Sequence, residues 1–202
     1  MPRRSILVPG ESYTFSHYFE LPYPTSDILQ ELGYSLVKQN LTLPLFTGTF
    51  DAQPLQASIE ESISLVDLSN ETARREVIIA PLLLYASKFV QKKLRIEYPI
   101  SINDQLKGTV DYLLEANHNL LVIEAKQSDL SRGFTQLAVE MIAVSQWSGI
   151  ESDRYYGAVT TGDVWKFGFF QPSTQTIFED ITLYTVPSNL SKILEIVLGI
   201  LL

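Results

Sequence analysis

The chain has 202 residues, of which 46% are hydrophobic and 19% charged, a balance that excludes disorder and suits one folded domain with a sizeable core. It has no cysteine, which excludes disulfides and thiolate zinc sites and fits a reducing compartment. The formal net charge of −8 excludes a uniformly basic surface, so any contact with nucleic acid would have to be a local one.

Met1-Pro2-Arg3-Arg4 leads only into the short apolar run Ile6-Leu7-Val8 before Pro9-Gly10, which is no secretory signal, and a cytoplasmic location is expected. Residues 13–19 alternate like a strand, and Thr25-Ser26-Asp27 offers caps for a short helix through Leu32, stopped by Gly33. Residues 34–43 read as a second strand. Helical periodicity follows over 55–68 and 71–94, with Pro81 expected to kink the second helix or mark a join. Strands are expected over 95–102, 106–114 and 120–126, then a helix over 130–147, where Leu137, Met141 and Val144 recur at spacings of three and four. Three more strands follow, over 155–160, 164–170 and 176–184. The apolar 190–202 segment is too short to span a bilayer, so no membrane partner is expected. It is expected as a helix that closes the core or an interface, in a homodimer or larger complex.

The stretch 108–126, GTVDYLLEANHNLLVIEAK, carries the chemistry. Two apolar runs flank Glu115-Ala116-Asn117-His118-Asn119, the pattern of a β-hairpin. A turn centred between Asn117 and His118 sets Asp111 directly opposite Glu124, with Cβ atoms about 4.5–5.5 Å apart. Lys126, two residues beyond Glu124, projects from the same face. Two facing carboxylates repel each other and resist burial unless a cation sits between them. Leu120-Leu121-Val122-Ile123 is continuously apolar, as in a strand covered on both faces, so this polar trio interrupts buried strands.

These residues resemble the PD-(D/E)XK nuclease superfamily, whose hallmark is an acid on one strand and Glu-x-Lys on the next, here Asp111 and Glu124-Ala125-Lys126. The family's proline before the acid is replaced by Val110. Asn70-Glu71-Thr72-Ala73-Arg74, followed by residues 77–83, is similar to the first core helix of the nuclease domains of type I restriction subunits. Gln136 is similar to the glutamine that some branches carry on the helix after Glu-x-Lys, and residues 157–167 resemble a later hairpin. The resemblance covers residues 70–170 and implies an α/β (α+β) fold with a restriction-endonuclease-like core. That core is a mixed central sheet flanked by helices, here spanning 70–202 with a C-terminal helix. Residues 1–69 would be a strand/helix extension packed on it.

The resemblance further implies Mg²⁺, or Mn²⁺ in its place, held by Asp111, Glu124 and the Ala125 carbonyl, and hydrolysis of DNA of the restriction or repair type. Lys126 would position or help deprotonate the attacking water and contact the phosphate. Glu71 would hold a water or a second metal, although a first-turn glutamate after Asn70 is favourable for the helix alone, and Glu76 competes for the same role. Gln136 would anchor a phosphate or Lys126, or else lie on an exposed helix face. The competing reading is a non-catalytic module that keeps the fold and binds nucleic acid or a protein partner, which the acidic composition favours. His17 and His118, the only histidines, offer no zinc site or general base, and Trp165, Phe167 and Phe169 alternate as a core face. Acids outside the hairpin, among them Glu60, Glu61, Glu179 and Asp180, are expected on solvated faces.

Overall fold

An unbroken apolar strand must be covered on both sides, and the fold supplies two helical layers around one sheet. The computed structural model describes residues 5–8, 10–115, 120–126 and 128–202, so the turn expected at Asn117 and His118 and the leading residues Met1 to Arg4 lie outside the described residues. The elements run α1 (Phe15–Glu20), α2 (Thr25–Glu31), β1 (Ser35–Gln39), α3 (Gln53–Leu65) and α4 (Glu71–Arg74). A π-helical turn (Arg75–Ile79) leads into α5 (Ala80–Val90), then β2 (Leu94–Ser101), β3 (Lys107–Glu115), β4 (Leu120–Ala125) and α6 (Leu130–Trp147). The chain ends with β5 (Tyr155–Thr160), β6 (Val164–Gln171), a short 3₁₀ turn (Pro172–Thr174), β7 (Thr176–Asp180), β8 (Tyr184–Thr185) and α7 (Leu190–Leu201).

The strands form one eight-stranded mixed sheet in the order β1-β7-β6-β5-β4-β3-β2, with β8 beside β6. Strands β2, β3 and β4 form an antiparallel meander, and α6 carries the chain over to β5, which runs parallel to β4. The order from residue 71 is therefore helix, three strands, helix, strand. The second parallel pair is β1 with β7, so the N-terminal segment contributes an edge strand to the same sheet.

Alternation along β4 divides the core. Leu121 and Ile123 face one layer, with Ile59, Ile78, Leu82, Trp165, Phe167 and the α7 residues Ile193 and Val197. Val122 faces the other, with Phe15, Tyr18, Ile28, Phe134, Leu137, Val159 and Ile177. Helix α7 thus closes the core, one of the two roles its apolar sequence allowed, and none of the helices among the described residues is long and apolar enough to cross a membrane.

Two expectations need correction, and a third had two outcomes of which the structure takes one. Residues 15–20 are helical, not a strand, because Phe15 and Tyr18 are the buried pair at a spacing of three, and the Thr14 N–H donates to His17 Nδ1 at 3.2 Å at the helix start. Pro81 marks a join in the long helix, one of the two outcomes its position allowed. Its ring falls in the first turn of α5, and the change of register comes earlier, in the π turn, where Ala80 N–H reaches back to the Arg75 carbonyl. Glu179 and Asp180 are buried rather than solvated, Glu179 between Lys166 at 2.7 Å and Lys38 at 2.8 Å.

Candidate functional site

The register of the β3–β4 pair is the one the hairpin pattern requires, running from Tyr112 opposite Ile123 to Glu115 opposite Leu120. One step beyond, where the strands part, stand Asp111 and Glu124. The carboxylate of Asp111 takes over the ladder's role there, since its Oδ2 accepts the Ala125 N–H at 2.8 Å. Glu124 is 1% exposed at the end of β4, and Lys126 Nζ lies 2.5 Å from its Oε1.

Helix α6 supplies the second half of the site. Asp129 caps it by accepting the Arg132 N–H at 3.0 Å, and the helix is buried all round from Gly133 to Val144. A polar side chain inside such a segment must find a partner. Gln136 does so twice, its Nε2 donating to Glu124 Oε1 at 2.7 Å and to Glu140 Oε1 at 2.8 Å. Gly133 lets the helix approach closely, because a Cβ there would lie 3.0 Å from Lys126 Cγ and 2.7 Å from Val159.

The opposite layer reaches the same point through Arg75. Its Nη1 is 3.6 Å from Asp111 Oδ1, its Nε donates to the Tyr112 hydroxyl at 3.3 Å, its guanidinium lies over the Tyr112 ring, and it pairs with Glu97. Glu97 itself adopts a left-handed backbone conformation (φ 51°) between Ile96 and Tyr98, which pair with Tyr112 and Val110 on either side of Asp111. Phe19 of α1 roofs the site, its ring centre 5.0 Å from Lys126 Nζ.

Burial sets the electrostatics. It pushes Asp111 up from the ordinary carboxylate range, against the Ala125 N–H, Arg75 and Lys126, which pull it down. Glu124 is pushed up further, first by burial and then by the charges of Glu140 and Asp111, with Lys126 opposing. Fully buried Glu140 is raised to about 8. Among the described residues Glu124 Oε2 and Glu140 Oε2 have no hydrogen-bond partner as carboxylates, a deficit that a proton shared between the two would relieve. Burial alone would lower Lys126, but the charge and hydrogen bond of Glu124 outweigh it, so the amine stays an ammonium.

The structure therefore brings together Asp111, Glu124, Ala125, Lys126 and Gln136. Gln136 is 4% exposed, which corrects the alternative of an exposed helix face. Glu71 stands partly buried in the first turn of α4, capped by Asn70, and makes no hydrogen bond or ion pair with the others among the described residues. Glu76 is exposed, and its charge is felt at Tyr112. Glu140, Arg75, Tyr112 and Glu97 are site members that sequence reasoning missed. For Glu140 a signal existed, a charged residue four places after Gln136 between Val139 and Met141. Nothing marked Arg75 apart from its neighbours. Among the described residues no group of three or more His, Cys, Asp or Glu side chains is placed to hold a metal ion.

No family model matches the chain, and no curated protein matches it.

Proposed function

We propose that the chain is a Mg²⁺-dependent nuclease of the PD-(D/E)XK type, with Asp111, Glu124 and Lys126 as its working groups and DNA as its substrate. The observation that carries this reading is a half-buried acid on one strand and a buried acid on the next, with an ammonium 2.5 Å from the second, at the open end of a hairpin. The donors suit a hard divalent ion. They are all oxygen, and Glu124 Oε2 is buried without a hydrogen-bond partner among the described residues. Asp111, Glu124 and the Ala125 carbonyl would hold Mg²⁺ or Mn²⁺, with water and substrate oxygens completing the shell in place of a third carboxylate. The bound ion would neutralise the phosphate and acidify a water.

The remaining work falls to the protein. Lys126, held protonated by Glu124, orients the attacking water and draws the phosphate rather than accepting a proton. Gln136 fixes the Glu124 carboxylate against α6, and Glu140 supports Gln136 from one turn further on. Glu71 is left with the favourable placement of a negative charge in the first turn of α4, behind the Asn70 cap.

One observation favours the non-catalytic reading. Arg75 and Lys126 already face Asp111 and Glu124, so the acid pair is balanced by the protein's own cations. Thermal unfolding with Mg²⁺ or Mn²⁺ separates the two. A bound ion at about 100 times its dissociation constant adds roughly 2.7 kcal/mol to the native state. The melting temperature of the wild type should rise by several degrees, and Asp111→Asn should lose most of that rise. Equal shifts in both proteins would remove the metal from this site and leave the non-catalytic reading.

A further inference from the structure

We infer that Arg75 is a substrate-contacting residue, the guanidinium that binds a phosphate oxygen of the nucleic acid once a divalent ion has taken over Asp111. This rests on the nuclease reading and adds to it a second cation, approaching from the layer opposite Lys126.

Four observations converge on Arg75. It opens the π turn, the one place where the helix entering this site departs from α geometry, and such turns gather at functional positions. Its side chain is held in place by stacking on Tyr112, by the 3.3 Å hydrogen bond to the Tyr112 hydroxyl, and by Glu97. Glu97 adopts a strained left-handed conformation directly across β2–β3 from Asp111. Last, the approach to Asp111 is 3.6 Å, an electrostatic contact too long to be a hydrogen bond. Of the five guanidinium N–H groups, only two donate among the described residues, one to Tyr112 and one to Glu97. The Nη1 end is thus turned toward Asp111, with its hydrogens undonated among the described residues.

Charge points the same way. Asp111, Glu124 and Glu97 against Arg75 and Lys126 leave one net negative charge among these five groups. A divalent ion would reverse this to one net positive, which one phosphodiester balances. A planar fork that can offer two parallel N–H groups is the side chain best matched to that anion, and lysine cannot reproduce it. A brace between the helix and β2 would need Tyr112 and Glu97 but no free edge turned toward Asp111.

The test measures two affinities with opposite expected signs. Mn²⁺ binding without nucleic acid is followed by calorimetry. Binding of a short fluorescent DNA, single-stranded and duplex, is followed by anisotropy in Ca²⁺, which should support binding with little cleavage. Arg75→Ala should bind Mn²⁺ at least as tightly as the wild type, because a like charge beside Asp111 is gone. Its DNA affinity should fall at least tenfold, and Arg75→Lys should fall between the two. Arg95→Ala, which removes a cation paired with Glu115 on the neighbouring strands, should change neither affinity appreciably. If Arg75→Ala does not fold, Arg75→Lys carries the test, with Mn²⁺ affinity kept and DNA affinity reduced. Unchanged DNA affinity in a folded variant, or Mn²⁺ and DNA affinity falling together, overturns the role of Arg75 alone. A wild type that binds Mn²⁺ but no DNA overturns the nuclease reading and this inference with it.

Discussion

Lys126→Ala is expected to destabilise the protein by about 3–5 kcal/mol at pH 8, the usual consequence of removing one partner of a buried ion pair. Glu124 is 1% exposed, and without the ammonium 2.5 Å away its charge would keep only the Gln136 amide. The loss should depend on pH. Glu124 already has a folded-state pKa above its unfolded one, so the native state binds more protons than the unfolded chain in the interval between them, and stability falls as pH rises there. Removing Lys126 takes away the main opposing charge, extends that interval upward and steepens the fall. At pH 5 the carboxyl can remain protonated in the folded variant, and most of the deficit should vanish. Urea unfolding at pH 5, 6.5 and 8 reads this directly. A deficit of the same size at all three values would mean that Lys126 contributes packing and not charge.

Glu140→Gln should act in the opposite direction and stabilise the protein in alkaline solution. Glu140 is raised to about 8 from an ordinary value of 4.5, burial being the chief cause. Between those two values the folded state holds a proton that the unfolded chain has lost, which costs up to about 1.4 kcal/mol of stability for each pH unit gained. Glutamine keeps an oxygen to accept from Gln136 Nε2 and an amide to donate toward Glu124, without a group that must lose a proton. The wild type should therefore weaken more steeply from pH 5 to pH 8 than the variant, in which Glu124 alone still holds its raised proton, the gap reaching roughly 2–4 kcal/mol at pH 8. Parallel stability profiles for the two proteins would show that Glu140 does not hold the proton.

Much of the site was legible because one strand pair carried its own register. The alternation of β3 and the unbroken apolar run of β4 admit one pairing that keeps both sets of side chains buried, and a slip of one residue would turn Glu124 away from Asp111. Helix α6 was legible for a similar reason, since an 18-residue periodic segment has few alternatives. Its all-round burial from Gly133 to Val144 was not, because that depends on α1 and α2 covering the face that sequence alone leaves open, where the buried hydroxyls of Thr25 and Thr135 meet at 2.7 Å.

The N-terminal third resisted reading for two physical reasons. Residues 13–19 place aromatic groups at spacings that satisfy a period of two and a period of 3.6 together, and the packing of Phe15 and Tyr18 decided for the helix. Strand β1 finds its partner β7 more than a hundred residues later, and nothing local specifies such a pairing. Arg75 was hidden similarly. It opens the π turn and pairs with Glu97 at the left-handed bend of β2, and neither feature leaves a trace in composition.

The most direct test of the nuclease proposal is a time course of DNA cleavage by the wild type and by Asp111→Asn in Mg²⁺, with a chelator control, under conditions where both proteins are folded. Asparagine preserves the shape of Asp111 and an oxygen to accept the Ala125 N–H, so the change isolates the charge. The account predicts cleavage by the wild type that the chelator abolishes and that slows at least about 100-fold in the variant, a loss of some 2.7 kcal/mol of transition-state stabilisation. Equal cleavage by both proteins, or none from a folded wild type that binds the metal, would contradict it.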